Sequence, residues 1–167
     1  MFRVSLNNAF AKRSLRPLHE KHQATPVNVL LALADPTDKI YSGMVAALTV
    51  DGTVDVYASG TAWGLFALDK NDVIDDTNGQ PTDLGSETNG TPFAVWQGGP
   101  DAYFRVTDPK VGDADCVISG TGFAVGAPVY AAAGGLIDAT GTVVIGNVVE
   151  VIEDGVDLVI QLSAPAS

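Results

Sequence analysis

The sequence predicts an all-β protein, an antiparallel β-barrel or sandwich body carrying an extended N-terminal arm. Three observations predict it. Glycine and proline supply 18 and 9 of the 167 residues, which favours many turns and few long helices. The apolar runs have strand length, contain β-branched or aromatic residues, and stop at pairs such as Asp51-Gly52 and Asp154-Gly155. Sixteen of the twenty acidic residues are Asp, whose short carboxylate accepts hydrogen bonds from nearby backbone N–H groups at turns and loop ends. The length fits one domain of roughly 100–200 residues, and a charged share of 17% is too low for a strongly solvating disordered chain.

Residues 1–26 read as the arm. They are basic, nearly free of glycine, and end at Pro26. Phe2, Leu6 and Phe10 recur every four residues, the spacing of one helical face, but the stretch is short and Arg16-Pro17 interrupts it. Such an arm orders on docking. Fully extended, 25 residues reach about 80 Å at roughly 3.3 Å each, enough to cross a neighbouring subunit.

Residues 27–167 form the β-rich body, which divides into two stretches, about 27–68 and 93–167, either as one body or as two lobes. Val27–Leu33 is a strand stopped by Asp35-Pro36, and Met44–Val50 pairs with Thr53–Tyr57 through Asp51-Gly52 as a hairpin. Ala62–Leu68 is a further strand. The polar loop 69–92 then joins the stretches, a length associated with function or mobility. Phe93–Trp96 and Ala102–Val106 follow, bracketed by Gly98-Gly99-Pro100 and Asp108-Pro109. The last 42 residues are the most regular, with strands at Pro128–Tyr130 and Leu136–Ile137, a long one over Thr142–Ile152 bent at Gly146, and Val156–Leu162 after the Asp154-Gly155 turn. Gly43-Met44-Val45 with Asp51-Gly52-Thr53-Val54 loosely parallels Gly126-Ala127-Pro128-Val129 with Thr140-Gly141-Thr142-Val143. An internal duplication and chance recurrence both remain open.

Charge is unevenly placed. Residues 1–25 hold five basic side chains against one acidic, a net of +4, while the other 142 hold four basic and nineteen acidic, a net of −15. The body is therefore repelled by nucleic acid and by anionic membranes, and neither is expected as a direct partner. No stretch approaches the roughly 20 apolar residues of a spanning helix, and none reads as a signal peptide.

Catalytic chemistry finds little support. Both histidines, His19 and His22, lie in the arm without a third metal ligand, and the body has no histidine to serve as general base. Cys116 follows Asp113 and Asp115, which oppose a thiolate, so it reads as a small buried side chain. Gly120-Thr121-Gly122 lacks the third glycine and the helix of a dinucleotide fingerprint. Asp72, Asp75, Asp76 and Asn78 before Gly79 fail the EF-hand spacing, leaving a looser calcium site on loop 69–92 open. Paired carboxylates such as Asp75-Asp76 and Glu153-Asp154 fit loop ends, and Trp63, Trp96, Tyr57 and Tyr103 fit core packing better than a sugar platform. The expectation is no enzyme activity, no cofactor and no metal.

Val125–Tyr130, Gly134–Ile137, Ile145–Glu150 and Asp154–Leu162, with Tyr41–Val45 and Trp63–Ala67 in the first half, resemble the capsid decoration (cement) proteins of tailed bacteriophages. The resemblance implies an all-β, often trimeric virion protein on the capsid exterior, with the major capsid protein as partner and a role in stabilising subunit contacts. The arm lies outside that pattern. Phe2, Arg3, Leu6, Phe10, Lys12, Arg13, Leu15 and Arg16 are its candidate capsid-binding residues. Exposed ion pairs give about 0.2–1 kcal/mol each and buried apolar side chains about 1.5–3, so apolar anchors hold and charge steers. The alternative reading is a head-fibre or adhesin-like module recognising a surface glycan through loop 69–92.

Overall fold

The computed structural model describes residues 15–17, 27–35, 38–68, 74–75, 80–81, 89–90 and 92–165. The described residues contain no helix and fourteen strands: β1 Leu15–Pro17, β2 Val27–Leu30, β3 Val45–Leu48, β4 Val54–Val56, β5 Ala62–Phe66, β6 Ile74–Asp75, β7 Gln80–Pro81, β8 Pro92–Trp96, β9 Tyr103–Thr107, β10 Ile118–Ser119, β11 Pro128–Ala132, β12 Leu136–Asp138, β13 Val144–Glu153 and β14 Asp157–Leu162. They form a seven-stranded sheet in the order β1-β9-β14-β13-β11-β12-β10, a five-stranded sheet in the order β2-β8-β5-β3-β4, and the small β6–β7 ladder. All pairings between strands are antiparallel except β10 with β12.

The sheets pack as a sandwich because each strand turns alternate side chains inward. In β9, Phe104 and Val106 are buried while Tyr103, Arg105 and Thr107 are only partly covered. Leu158, Ile160 and Leu162 of β14 continue the inner face and meet Leu31, Val45, Val54, Leu65 and Phe66 of the other half in one apolar core. Aromatic pairs tighten it. Trp96 packs on Phe104 across the sheets at 5.5 Å between ring centroids, and Phe66 meets Phe93 edge-on at 5.7 Å.

Both hairpins expected at Asp-Gly pairs are present, β3–β4 and β13–β14. Gly155 in the second has φ +74°, and a Cβ there would overlap the Gly120 carbonyl, so the turn needs glycine twice over. The bend expected at Gly146 is a bulge beside it: β11 steps from Val129 opposite Gly146 to Tyr130 opposite Val144, skipping Ile145.

The sequence boundary between the two β-rich stretches does not separate the sheets. β8 opens the second stretch yet lies between β2 and β5. The β11–β12 turn reaches across as well: Val45 N–H donates to the Gly135 carbonyl at 2.7 Å, and Gly135 N–H donates to the Tyr57 carbonyl at 2.8 Å. Gly135 has φ +72° and sits against Met44 and Val56, where a side chain would meet resistance. The five-stranded sheet also curls until its edges meet. Leu31, just past β2, bridges Val54 of β4, and Ala32 N–H donates to the Val54 carbonyl at 2.9 Å. Most of loop 69–92 lies outside the described residues. Near its end, Asn89 imitates a strand by bonding both the N–H and the carbonyl of Leu33, at 2.9 and 3.0 Å.

Candidate functional site

Six of the arm residues singled out in the sequence, Phe2, Arg3, Leu6, Phe10, Lys12 and Arg13, lie outside the described residues. The other two fall in β1, which pairs with β9 in the register Leu15–Val106, Arg16–Arg105 and Pro17–Phe104. That register corrects the reading of Leu15. It shares the inward face with Val106, is 4% exposed, and belongs to the core of the body, so its burial is spent within its own chain. The arm is thus fastened to the open edge of the seven-stranded sheet. Because β1 runs antiparallel to β9, the chain before Leu15 departs at the end of β9 that holds Thr107, beside Asp157 of β14 and Glu153 of β13.

Directly paired residues share a face, so the registers give the outer surface of this sheet in rows. One row is Arg105, Val159 and Glu150, and the next is Thr107, Asp157 and Glu153. Asp157 is buried despite facing outward. Its carboxylate accepts from both Arg105 Nε, at 2.9 Å, and Arg105 Nη2, and from the Thr107 hydroxyl at 3.1 Å. This bidentate pairing raises the guanidinium pKa further above its already high value, by hydrogen bonding first and charge second. Arg105 therefore stays charged at any relevant pH.

β13 carries two more bulges. Its register to β14 slips between Val148 and Glu150 and again between Val151 and Glu153, leaving Val149 and Ile152 unpaired. A bulge re-aims the extra side chain. Both are exposed, as is Val125, whose neighbours Gly126 and Ala127 run beside β13 through hydrogen bonds to Val148 of 2.8 and 2.9 Å. An apolar strip with Glu150, Glu153 and Asp154 along it results.

The remaining acids mostly do what their excess over Glu predicted. Asp108 is the extreme case. It is buried, and its carboxylate accepts from the N–H groups of Lys110, Cys116, Val117 and Ile118 at 2.7–3.2 Å. It closes the loop leading from β9 to β10 and holds Lys110 at φ +46°. Asp154 accepts from Gly122 and Phe123, Asp138 from Thr140, and Asp55 from Ala34. Asp115 pairs with Lys110 and accepts from Gly120 N–H, and these bonds, the lysine's first, hold its carboxyl below the usual value. Only the Asp108-Pro109 pair marked the buried one in the sequence, and it marked it as a turn.

Cys116 is buried, as read from its surroundings. Tyr57 is buried, Trp63 packs on the core and Trp96 packs at a tilt against Phe104, so these three aromatics do not line up as a sugar platform. A groove of about 320 Å³ runs between Gly60–Gly64, Thr142–Ile145 and the tail Leu162–Pro165, with no titratable side chain in its wall. Among the described residues no group of three His, Cys, Asp or Glu side chains is arranged to hold a metal. The calcium reading of loop 69–92 and the two histidines fall outside the described residues.

A family model described as phage cement protein matches residues 1–162, which takes in the basic arm as well as the β body. No curated protein matches the chain.

Proposed function

The chain belongs to the phage cement protein family, and from that premise we propose that it binds the outer surface of the capsid as a homotrimer and stabilises contacts between major capsid protein subunits. As a phage cement protein it is a structural component of the virion at the capsid exterior. The observation that carries the finer reading is β1. A three-residue strand with a buried leucine ties a cationic leader to the open edge of a stiff sheet, so tension on the leader is passed to the body. Phe2, Leu6 and Phe10 are the apolar anchors, and Arg3, Lys12, Arg13 and Arg16 steer approach. Each anchor contributes about 1.5–3 kcal/mol before ordering costs, and repetition over many sites adds avidity. The role is one of binding, without turnover of a substrate.

The test removes residues 1–14 and keeps β1, so that the core stays closed, and measures binding to purified shells lacking the protein. Affinity is expected to fall at least about tenfold, and shells are expected to lose the heat resistance that the full chain confers. Binding unchanged by the truncation would overturn the arm's role. Mass photometry of the free protein reads the assembly, expected at three times the 17.3 kDa chain mass.

A further inference from the structure

We propose that the apolar strip of β13, formed by Val149, Ile152 and the adjoining Val125, is the docking site for the chain's own residues 1–14 when no shell is present. Three features name this occupant. The first is complementarity. Residues 1–14 carry Arg3, Lys12 and Arg13 with no acid, interleaved with Phe2, Val4, Leu6 and Phe10, and the strip presents exposed Val and Ile side chains along Glu150, Glu153 and Asp154. Of the body's described cations, Arg105 is paired with Asp157 and feels Glu150 only as a nearby charge, and Lys110 is paired with Asp115.

The second is where the segment leaves the fold. It departs from β1 at the row of Thr107, Asp157 and Glu153. β1 and β13 are separated by β9 and β14, three strand spacings or about 14 Å. Fourteen residues span up to about 46 Å when extended, so the reach is ample and the short tether gives a high effective concentration. The third is the strip itself. Val149 and Ile152 are the residues that the two bulges leave out of the ladder, and both are apolar and exposed. Ladder pairing gives them no partner, whereas a segment crossing the sheet does.

The experiment uses the free full-length protein, so its outcome is independent of shell binding. A mixture of light and heavy isotope-labelled chains is treated with a zero-length carbodiimide. The expected product joins Lys12, the one lysine of residues 1–14, to Glu150, Glu153 or Asp154 within a single chain. The double variant Val149→Thr and Ile152→Thr keeps β-branched side chains at exposed positions, so its melting temperature serves as the folding control. In it the link is expected to weaken, and the first tryptic cuts after Lys12 and Arg13 to quicken about three- to tenfold. Links solely between chains would assign the strip to a second copy and overturn the proposal. Absent links, or an unchanged cutting rate in the variant, would overturn it as well. Shell binding by the double variant, read separately, distinguishes a resting dock from a capsid contact: lost affinity there would make the capsid the occupant and sink the proposal.

Discussion

The two sheets solve the edge problem in opposite ways. The five-stranded sheet curls until Leu31 meets Val54, so its edges satisfy each other. The seven-stranded sheet stays open and ends in two very short strands, β1 of three residues and β10 of two. Short edge strands are a common protection against unwanted pairing. Here each one also holds an end of a longer segment: β1 pins the N-terminal region at Leu15, and β10 closes the Asp108-centred loop. Closure makes one half a stiff core, and openness leaves the other half an attachment edge.

Substitution at the point of closure should have the largest effect. Leu31 is fully buried where the five-stranded sheet meets itself, and Leu31→Ala is expected to cost about 3–4 kcal/mol, seen as a lower urea midpoint in one cooperative transition. If the sheets were energetically separate, that transition would split. Asp108→Ala comes next, at about 2–3 kcal/mol, because it leaves the Cys116, Val117 and Ile118 N–H groups without their acceptor. Hydrogen exchange should then rise first over residues 108–119, ahead of β3 and β5. Uniform acceleration across both sheets would contradict the division into core and edge.

Leu15→Ala tests the other edge of the open sheet. The loss should be about 1–2 kcal/mol, less than an interior leucine, since β1 can fray without unfolding its neighbours. Exchange in β9 should rise while β13 stays protected. This residue also marks what the sequence could reveal. The hairpins at Asp51-Gly52 and Asp154-Gly155 were legible because turn chemistry is local. The general use of Asp as a backbone acceptor was legible for the same reason. Leu15 looked like a free anchor because its partner Val106 is far away in sequence, and nothing near it signals a strand. The bulges at Val149 and Ile152 were hidden inside a run that reads as one uninterrupted strand, without glycine or proline at either slip. The Arg105–Asp157 pair joins residues 52 positions apart and depends on the β9–β14 register. The arm's place in the family was equally invisible, since the residues that carried the resemblance lie in the body.

The smallest effect separates surface charge from buried charge in the one loop that contains both. Lys110 and Asp115 are each about one-third exposed, so solvent screens their pairing, and Asp115→Asn should cost only about 0.2–1 kcal/mol. Its pH dependence has a definite sign. The folded state holds the Asp115 carboxyl below its ordinary value of 3.8, so it binds that proton less readily than the unfolded chain does. The stabilisation is therefore fully present above that value and is lost as the pH falls through the lower folded one. Lys110 is raised above 10.5 by the same bond, so on the alkaline side the benefit disappears only as the pH climbs through that raised value. Wild type and Asp115→Asn should accordingly differ in urea midpoint at pH 7 and converge in acid, and 1 M salt should shrink the difference at pH 7. The Gly120 N–H bond, which the amide oxygen of Asn can also accept, is common to both proteins, so a gap that persisted at pH 2 would not come from the carboxylate's charge and would remove the charge argument.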